Sequence, residues 1–280
     1  MKREISFEDL VERIQGSLSD NKDKLRKQFA NSINEVGVRY CALDGLLPKE
    51  WTESIYRNFP ANENMRFMSS FRERKYTSKN FDRFHPLLRD ITFAIQDPKV
   101  IEVVESITGI KGQKADPSLY AGGLSAMDRG NFLNPHIDNS HEMTRKMYRT
   151  LNLLFYVTPD WSLEKGGNLE LWDESVLRNL TIESKFNRLA IMETNPWSWH
   201  SVSPVVADEG RRCCVSNYYF SEISPIGKEY FNVTSFNGRP GQPFRRALSY
   251  VDGRFRNFVR LLLPRGLGKK DIYTGSGLKR

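Results

Sequence analysis

The sequence predicts an α+β protein with a mainly β core, a sandwich or barrel of short strands preceded by helices. Two observations carry that reading. From residue 121 onward, short apolar runs recur at 121–128, 151–157, 169–172, 188–192 and 213–220, and turn residues stand between them, among them Arg129-Gly130-Asn131, Thr158-Pro159-Asp160 and Lys165-Gly166-Gly167. Upstream of residue 110, apolar residues instead fall at the three- and four-residue spacing of helices.

Composition sets the bounds. The chain has 280 residues, 39% apolar and 27% charged, which suits one large domain with additions. It holds no run of about 18 apolar residues, so no transmembrane helix is expected. Met1 to Asp9 lacks an apolar segment and reads as no secretory signal. Three cysteines, two of them adjacent, do not make a disulfide framework, which points to a reducing cytoplasm. The net charge of +8 is uneven: residues 239–280 carry eleven Lys and Arg against two Asp, a balance of +9 that leaves −1 for the rest. The basic character belongs to the tail, so recognition of nucleic acid by the core is disfavoured.

Residues 6–35 read as helix. Ser6 and Asp9 have the spacing of a capping box. Phe7, Leu10, Val11, Ile14 and Leu18 recur on one face, and Leu25, Phe29 and Ile33 on a second piece. Residues 36–43 have strand character, Asp44-Gly45 is a turn signal, and a helix runs from Leu47-Pro48 to about Phe59. Residues 61–83 are polar and aperiodic and read as a loop or flap beside a substrate mouth. Two helices follow at 87–95 and 98–107, with His85 as a capping or surface residue ahead of them.

The chemistry concentrates at residues 130–220. His136 and Asp138 stand two apart, so in a strand they face one side. With a distant second histidine, His200, they compose a 2-His-1-carboxylate set, which leaves metal positions open as non-haem Fe(II) oxygenases require. An isolated His-x-Asp is weak evidence, and its company matters more. Residues 151–161, Leu-Asn-Leu-Leu-Phe-Tyr-Val-Thr-Pro-Asp-Trp, are followed by 166–173, Gly-Gly-Asn-Leu-Glu-Leu-Trp-Asp, and by 195–200, Asn-Pro-Trp-Ser-Trp-His. Together they resemble the prolyl 4-hydroxylase-like branch of the 2-oxoglutarate/Fe(II) oxygenases, over about residues 35–222 and most densely from 120.

That resemblance implies a double-stranded β-helix of the jelly-roll or cupin-like type, flanked by the N-terminal helices. It divides the chain into a helical segment at 1–35, the oxygenase domain at 36–223 and a basic extension at 224–280. It implies that His136, Asp138 and His200 hold iron, and that a basic residue after His200 holds the far carboxylate of 2-oxoglutarate. In the family this residue stands six before an aromatic of the last core strand. Counting back from Tyr218 prefers Arg212 to Arg211, and an arginine fork grips a carboxylate with two bonds. Tyr156 and Asn152 are the candidates for a further 2-oxoglutarate contact, and His141, Tyr218 and Trp199 are candidates for the substrate mouth. Fe(II), 2-oxoglutarate and O2 are the implied cofactors, with ascorbate as an optional reductant. The implied reaction is hydroxylation of an unactivated C–H bond coupled to decarboxylation of 2-oxoglutarate to succinate and CO2. Asp138 favours hydroxylation over halogenation, because related halogenases lack this carboxylate. The substrate class stays open among small molecules, sugar or polysaccharide precursors and peptidyl residues. The alternative is a non-catalytic jelly-roll binding module. Residues 237–246 read as a linker, and 249–263 as a basic amphipathic stretch fit for an anionic membrane surface or an acidic partner, which would place a cytoplasmic protein at the membrane periphery.

Overall fold

The computed structural model describes residues 4–78, 81–120, 122–244 and 246. The basic stretch at 249–263 lies outside the described residues. Helix α1 (Phe7–Asp20) starts at the expected capping box: the Asp9 amide donates to Ser6 Oγ at 3.1 Å and the Ser6 amide to Asp9 Oδ2 at 3.2 Å. It buries Leu10, Val11, Ile14 and Leu18, and α2 (Lys22–Asn31) buries Leu25 and Phe29. Ile33 leaves that face: it opens the short α3 (Ile33–Val36) and is exposed. Gly37, left-handed at φ 79, ends α3 and delays strand β1 to Tyr40–Asp44, later than the residue-36 start expected from composition. Helix α4 (Lys49–Arg57) follows.

Residues 61–83 are not a loop. They fold into a hairpin of β2 (Arg66–Ser69) and β3 (Glu73–Thr77), whose mostly polar residues hide any alternation. Helices α5 (Pro86–Ala94) and α6 (Pro98–Thr108) have Pro at their first positions and side-chain caps from His85 and Asp97. His85 Nδ1 accepts from the Leu87 amide at 3.2 Å.

The remaining strands are β4 (Gly123–Met127), β5 (Phe132–Ile137), β6 (Tyr148–Tyr156), β7 (Leu169–Trp172), β8 (Asn179–Ile182), β9 (Arg188–Glu193), β10 (His200–Val202), β11 (Arg212–Ser221) and β12 (Ser235–Phe236). They pair antiparallel in the order β1-β9-β6-β11-β4-β3-β5-β10-β7-β8. Strand β3 joins two runs of this path because it pairs with both β4 and β5.

Alternation sorts the core into two layers. Leu151, Leu153, Phe155, Leu189, Ile191, Cys213 and Val215 pack with the helices. Their alternates Leu154, Tyr156, Ala190, Met192 and Cys214 meet Leu169, Leu171 and Ile182 of the opposite run. The sheet therefore curls over a second interior, and that interior holds the polar groups of interest. All three cysteines are buried and free. Among the described residues no helix is long and apolar enough to cross a membrane.

The expected linker at 237–246 is held to the core at Asn237, Arg239 and Arg246, while Pro240, Gly241, Pro243 and Phe244 are exposed. Strand β12 pairs with β5, with Phe236 opposite His136, and Arg239 forms a largely buried ion pair with Glu170 at 2.7 Å. Glycine and proline suggested a free connection. They instead permit close approach: a Cβ on Gly238 would sit 2.7 Å from the Arg246 nitrogen.

Candidate metal centre

Two strands present the imidazoles. His200 pairs directly with His136 across β10 and β5, so both rings face the same interior with centroids 4.1 Å apart. Asp138 lies one residue past the end of β5. Its Oδ1 is 3.6 Å from His136 Nε2 and its Oδ2 is 3.6 Å from His200 Nε2. One ligand atom from each of the three lies within 4.8 Å of the others.

The two rings are oriented alike. His136 Nδ1 lies 3.0 Å from the Asn134 carbonyl and His200 Nδ1 3.0 Å from the Ser198 carbonyl. Each Nδ1–H donates backward, which leaves both Nε2 lone pairs turned to the common centre. Burial, then the neighbouring His200, pushes His136 down to about 3, so it is neutral at physiological pH as a ligand must be.

Arg149 is a functional residue that no sequence motif singled out. Burial alone would raise the Asp138 carboxyl; Arg149 first, then the two imidazoles, outweigh it and hold it at about 2. Arg149 is itself fully buried, with Nη1 3.2 Å from Asp138 Oδ2 in an ion pair rather than an aligned hydrogen bond. Its guanidinium lies 4.0 Å from the Tyr218 ring centroid and 5.6 Å from that of Phe220. A β-bulge puts it there. Tyr219 pairs with Leu151 but Phe220 pairs with Arg149, so Thr150 is an extra residue that flips the alternation and turns Arg149 inward.

A cavity of about 670 Å³ opens over the three ligands. His136, Asp138, His200, Asn152, Arg212 and Tyr218 all line it. Arg212 is buried on β11, with Nε donating to the Gly167 carbonyl at 3.1 Å and Nη1 to Ser125 Oγ at 3.3 Å. Gly166 and Gly167 make this possible. Both have positive φ, and a Cβ at 167 would press the Arg212 stem at 3.3 Å. Arg211 faces away, bonded to Asn62 and the Phe59 carbonyl. The Tyr156 ring lies 5.1 Å from the Arg212 guanidinium. Its hydroxyl is buried with no partner, as is Asn152 Oδ1. Burial pushes the Tyr156 phenol up to about 12, so it is a neutral donor.

His141 and Trp199, expected at the mouth, do not line the cavity. His141 sits in an aromatic cluster with Tyr148, Tyr230 and Phe231, its Nδ1 2.8 Å from Ser140 Oγ. Trp199 belongs to the turn before β10, where its amide donates to the Trp197 carbonyl. The β2–β3 hairpin does reach the mouth: Arg66, Met68, Arg72, Glu73, Lys75 and Thr77 line the outer cavity.

Two imidazoles and one carboxylate make a donor set suited to Fe(II), and the cavity lies on their open side. Arg212 lines the cavity and offers a dicarboxylate a cationic fork, whereas Tyr156 is outside the lining, with its ring 5.1 Å from that guanidinium.

Known proteins agree. Residues 122–220 match the model of the 2OG-Fe(II) oxygenase superfamily. The prolyl 3-hydroxylase OGFOD1 of Mus musculus is 30% identical over 88 residues, 30% of this chain and 16% of that protein. The Xenopus laevis protein of the same name is 30% identical over 31% of this chain and 19% of its own length. The chain thus matches less than a fifth of the length of these relatives. Among solved structures, a prolyl 4-hydroxylase from Phytophthora capsici superposes with a TM-score of 0.55 at 15% identity, covering 95% of this chain and 80% of that one. A prolyl-4-hydroxylase from Pseudomonas putida gives 0.52 at 11% identity, covering 70% and 98%. Both establish the double-stranded β-helix fold. The matched segment spans every proposed ligand and Arg212, so residues 122–220 resemble the 2OG-Fe(II) oxygenase superfamily, and the chain is prolyl hydroxylase-like in fold.

Proposed function

We propose that this chain is an Fe(II)- and 2-oxoglutarate-dependent dioxygenase that hydroxylates an unactivated C–H bond of a peptidyl residue or small molecule. The observation that carries the reading is the convergence of His136, Asp138 and His200 under one cavity that also contains Arg212. The names of the relatives make a prolyl residue the first substrate to try.

Fe(II) would be held by His136, Asp138 and His200, and 2-oxoglutarate by Arg212 with Tyr156 and Asn152; bound together, they supply with O2 the oxidising power that is spent on the C–H bond as 2-oxoglutarate becomes succinate and CO2. The protein's own part is orientation and exclusion. The Asn134 and Ser198 carbonyls fix the imidazoles, so no rotation is needed when metal enters. Arg149 keeps Asp138 ionised and aimed. Arg212, held by the Gly167 carbonyl and Ser125 with the Tyr156 ring beside it, would receive the far carboxylate. Buried Leu154 and Leu169 line the same cavity and keep water from this region.

A binding module that had only retained the fold would not need this ligand set, the carbonyls and guanidinium that orient it, and a basic pocket for a carboxylate together. Anaerobic titration with Fe(II) and 2-oxoglutarate tests the reading: a ligand-complete site gives the weak visible charge-transfer band. An Asp138→Ala protein that consumed 2-oxoglutarate at the normal rate would refute it. We further propose, on sequence alone, that the +9 tail at 239–280 contacts an anionic membrane surface or acidic partner of a cytoplasmic enzyme. Anionic vesicle sedimentation of the full chain against a chain lacking 249–280 tests this, and equal sedimentation refutes it.

A further inference from the structure

Residues 230–239 follow the segment matched to the superfamily, yet they clasp both strands that carry the proposed ligands. On the β5 side, the Asn232 side-chain amide donates to the Asp138 carbonyl at 2.9 Å. The Ser140 amide donates to the Asn232 carbonyl at 3.0 Å, and the Asn232 amide to Ser140 Oγ at 2.9 Å. The Asn237 amide donates to the Pro135 carbonyl at 2.8 Å. On the β10 side, Arg239 donates to the Val202 carbonyl at 3.1 Å while it pairs with Glu170 at 2.7 Å. The segment is thus anchored at both ends by part-buried polar contacts and forms one wall of the site.

Phe236 is the residue that this wall presents. It pairs directly with His136 in the β12–β5 ladder, so both side chains project to the same face. Its ring stacks on the His136 imidazole, with centroids 5.3 Å apart and planes 20° apart. The Arg72 guanidinium from the β2–β3 hairpin lies 5.7 Å from the same ring. Phe236 lines the cavity, together with the apolar Met127, Leu133 and Val202.

We infer that Phe236 is a specificity-determining residue: its ring sets the size of the uncharged aliphatic group that can lie beside the metal. The inference rests on the oxygenase reading. Three features support it. The ring covers His136 without bonding to either ring nitrogen, so it shapes space and does not orient the ligand; Nδ1 is already held by Asn134. Two flanking contacts, the His136 ring and the Arg72 guanidinium, favour its position beside the metal site. Apart from Arg212, the cavity's cations, Arg66, Arg72, Lys75 and Arg83, come from residues 66–83; of these Arg72 reaches the Phe236 ring, while Met127, Leu133 and Val202 give the same cavity an apolar lining.

The test uses the full chain loaded with Mn(II) and 2-oxoglutarate, and compares Phe236→Ala and Phe236→Trp with the wild type. The probes are the N-acetyl amides of azetidine-2-carboxylic acid, proline and pipecolic acid, which differ in ring size. Binding is read without turnover, from paramagnetic broadening of the probe NMR lines, and solvent access from water-proton relaxivity. Expected is that Phe236→Ala keeps Mn(II) affinity within about threefold, raises relaxivity and moves preference toward the six-membered ring. Phe236→Trp moves preference toward the four-membered ring. An unchanged probe order and relaxivity in both variants overturns the inference. So does a loss of Mn(II) affinity beyond about tenfold in Phe236→Ala, which would make the ring a support for His136 instead. Failure of the wild type to bind Mn(II) with 2-oxoglutarate would strike the oxygenase reading itself, a separate result.

Discussion

Replacing Arg149 by Met should weaken metal binding and destabilise the metal-free protein, and both effects should depend on Asp138. The substitution keeps an unbranched apolar stem of similar length and removes the charge. In the structure, unit charges on Arg149 and Asp138 lie 3.2 Å apart, Arg149 fully buried and Asp138 nearly so. At an effective dielectric of about 20 their attraction is about 5 kcal/mol before desolvation is subtracted. Removing one partner of such a buried pair costs about 3–5 kcal/mol, because the other charge is left unpaired. The net worth of the pair is smaller, since burying Arg149 has its own cost: its nitrogens find no aligned acceptor. These two terms separate in a double-mutant cycle. In the wild-type background Arg149→Met should cost about 3 kcal/mol of metal-free stability in denaturant titration. In the Asp138→Asn background the same change removes a charge that has lost its counter-ion, so its cost should fall to about zero or change sign. Mn(II) affinity of the single variant should fall about 10- to 100-fold, the usual effect of losing an outer-shell partner of a ligand. Equal stability costs in the two backgrounds would show that Arg149 serves Tyr218 and Phe220 packing, and the argument for Asp138 would fail.

Other consequences are sharper for being local. Tyr156→Phe should lower 2-oxoglutarate affinity about 10- to 100-fold, the loss of a hydrogen bond to a charged group, while metal-free stability holds or rises because the hydroxyl has no partner there; isothermal titration and thermal melts read both. Arg212→Gln should abolish measurable 2-oxoglutarate binding, whereas Arg211→Gln should leave it within about threefold. Gly166→Ala should destabilise by more than about 3 kcal/mol, since its φ is +72 and a Cβ would stand 2.0 Å from the Pro204 carbonyl oxygen. Acid should unfold the metal-free protein early. The His136 ring takes a proton below about 6.5 in the unfolded chain but only near 3 when folded, so stability is complete above about 6.5 and falls by about 1.4 kcal/mol per pH unit down to about 3. Asp138, held at about 2, adds a further loss as pH drops below its ordinary value of 3.8. Denaturant midpoints across pH 3 to 7 that stay flat would refute this.

Much of the fold was legible because the patterns were local. Capping at Ser6 and His85, the helical stripe of Leu10, Ile14 and Leu18, and the alternation of Leu151, Leu153 and Phe155 against Asn152, Leu154 and Tyr156 each depend on neighbours in sequence. The opposite facing of Arg211 and Arg212 follows from the same rule. The β2–β3 hairpin was not legible. Its residues are half-exposed and polar, and they become strand because β3 supplies the pairing that joins β4 to β5. Strand β12 is two residues long and carries no periodicity at all; what fixes it is the open edge of β5 and the Glu170 carboxylate that receives Arg239. Both are tertiary events.

The centre itself depends on places where the alternation rule breaks. Between β10 and β5 the register slips: His200 faces His136, but Val202 faces Leu133, so β5 holds one residue more than its partner. Pro135, which has no N–H to give a ladder, falls in that extra stretch. On β6 the extra residue is Thr150, and it reverses the facing of Arg149 relative to Leu151 and Leu153. A strict two-residue period would have put Arg149 on the helical side with Leu151, away from Asp138. The bulge instead sends a cation to the carboxylate that stands between the two imidazoles and must stay ionised to hold metal. Regular pairing thus builds the walls, while the two irregularities aim the charged groups that the regular sheet would have misdirected.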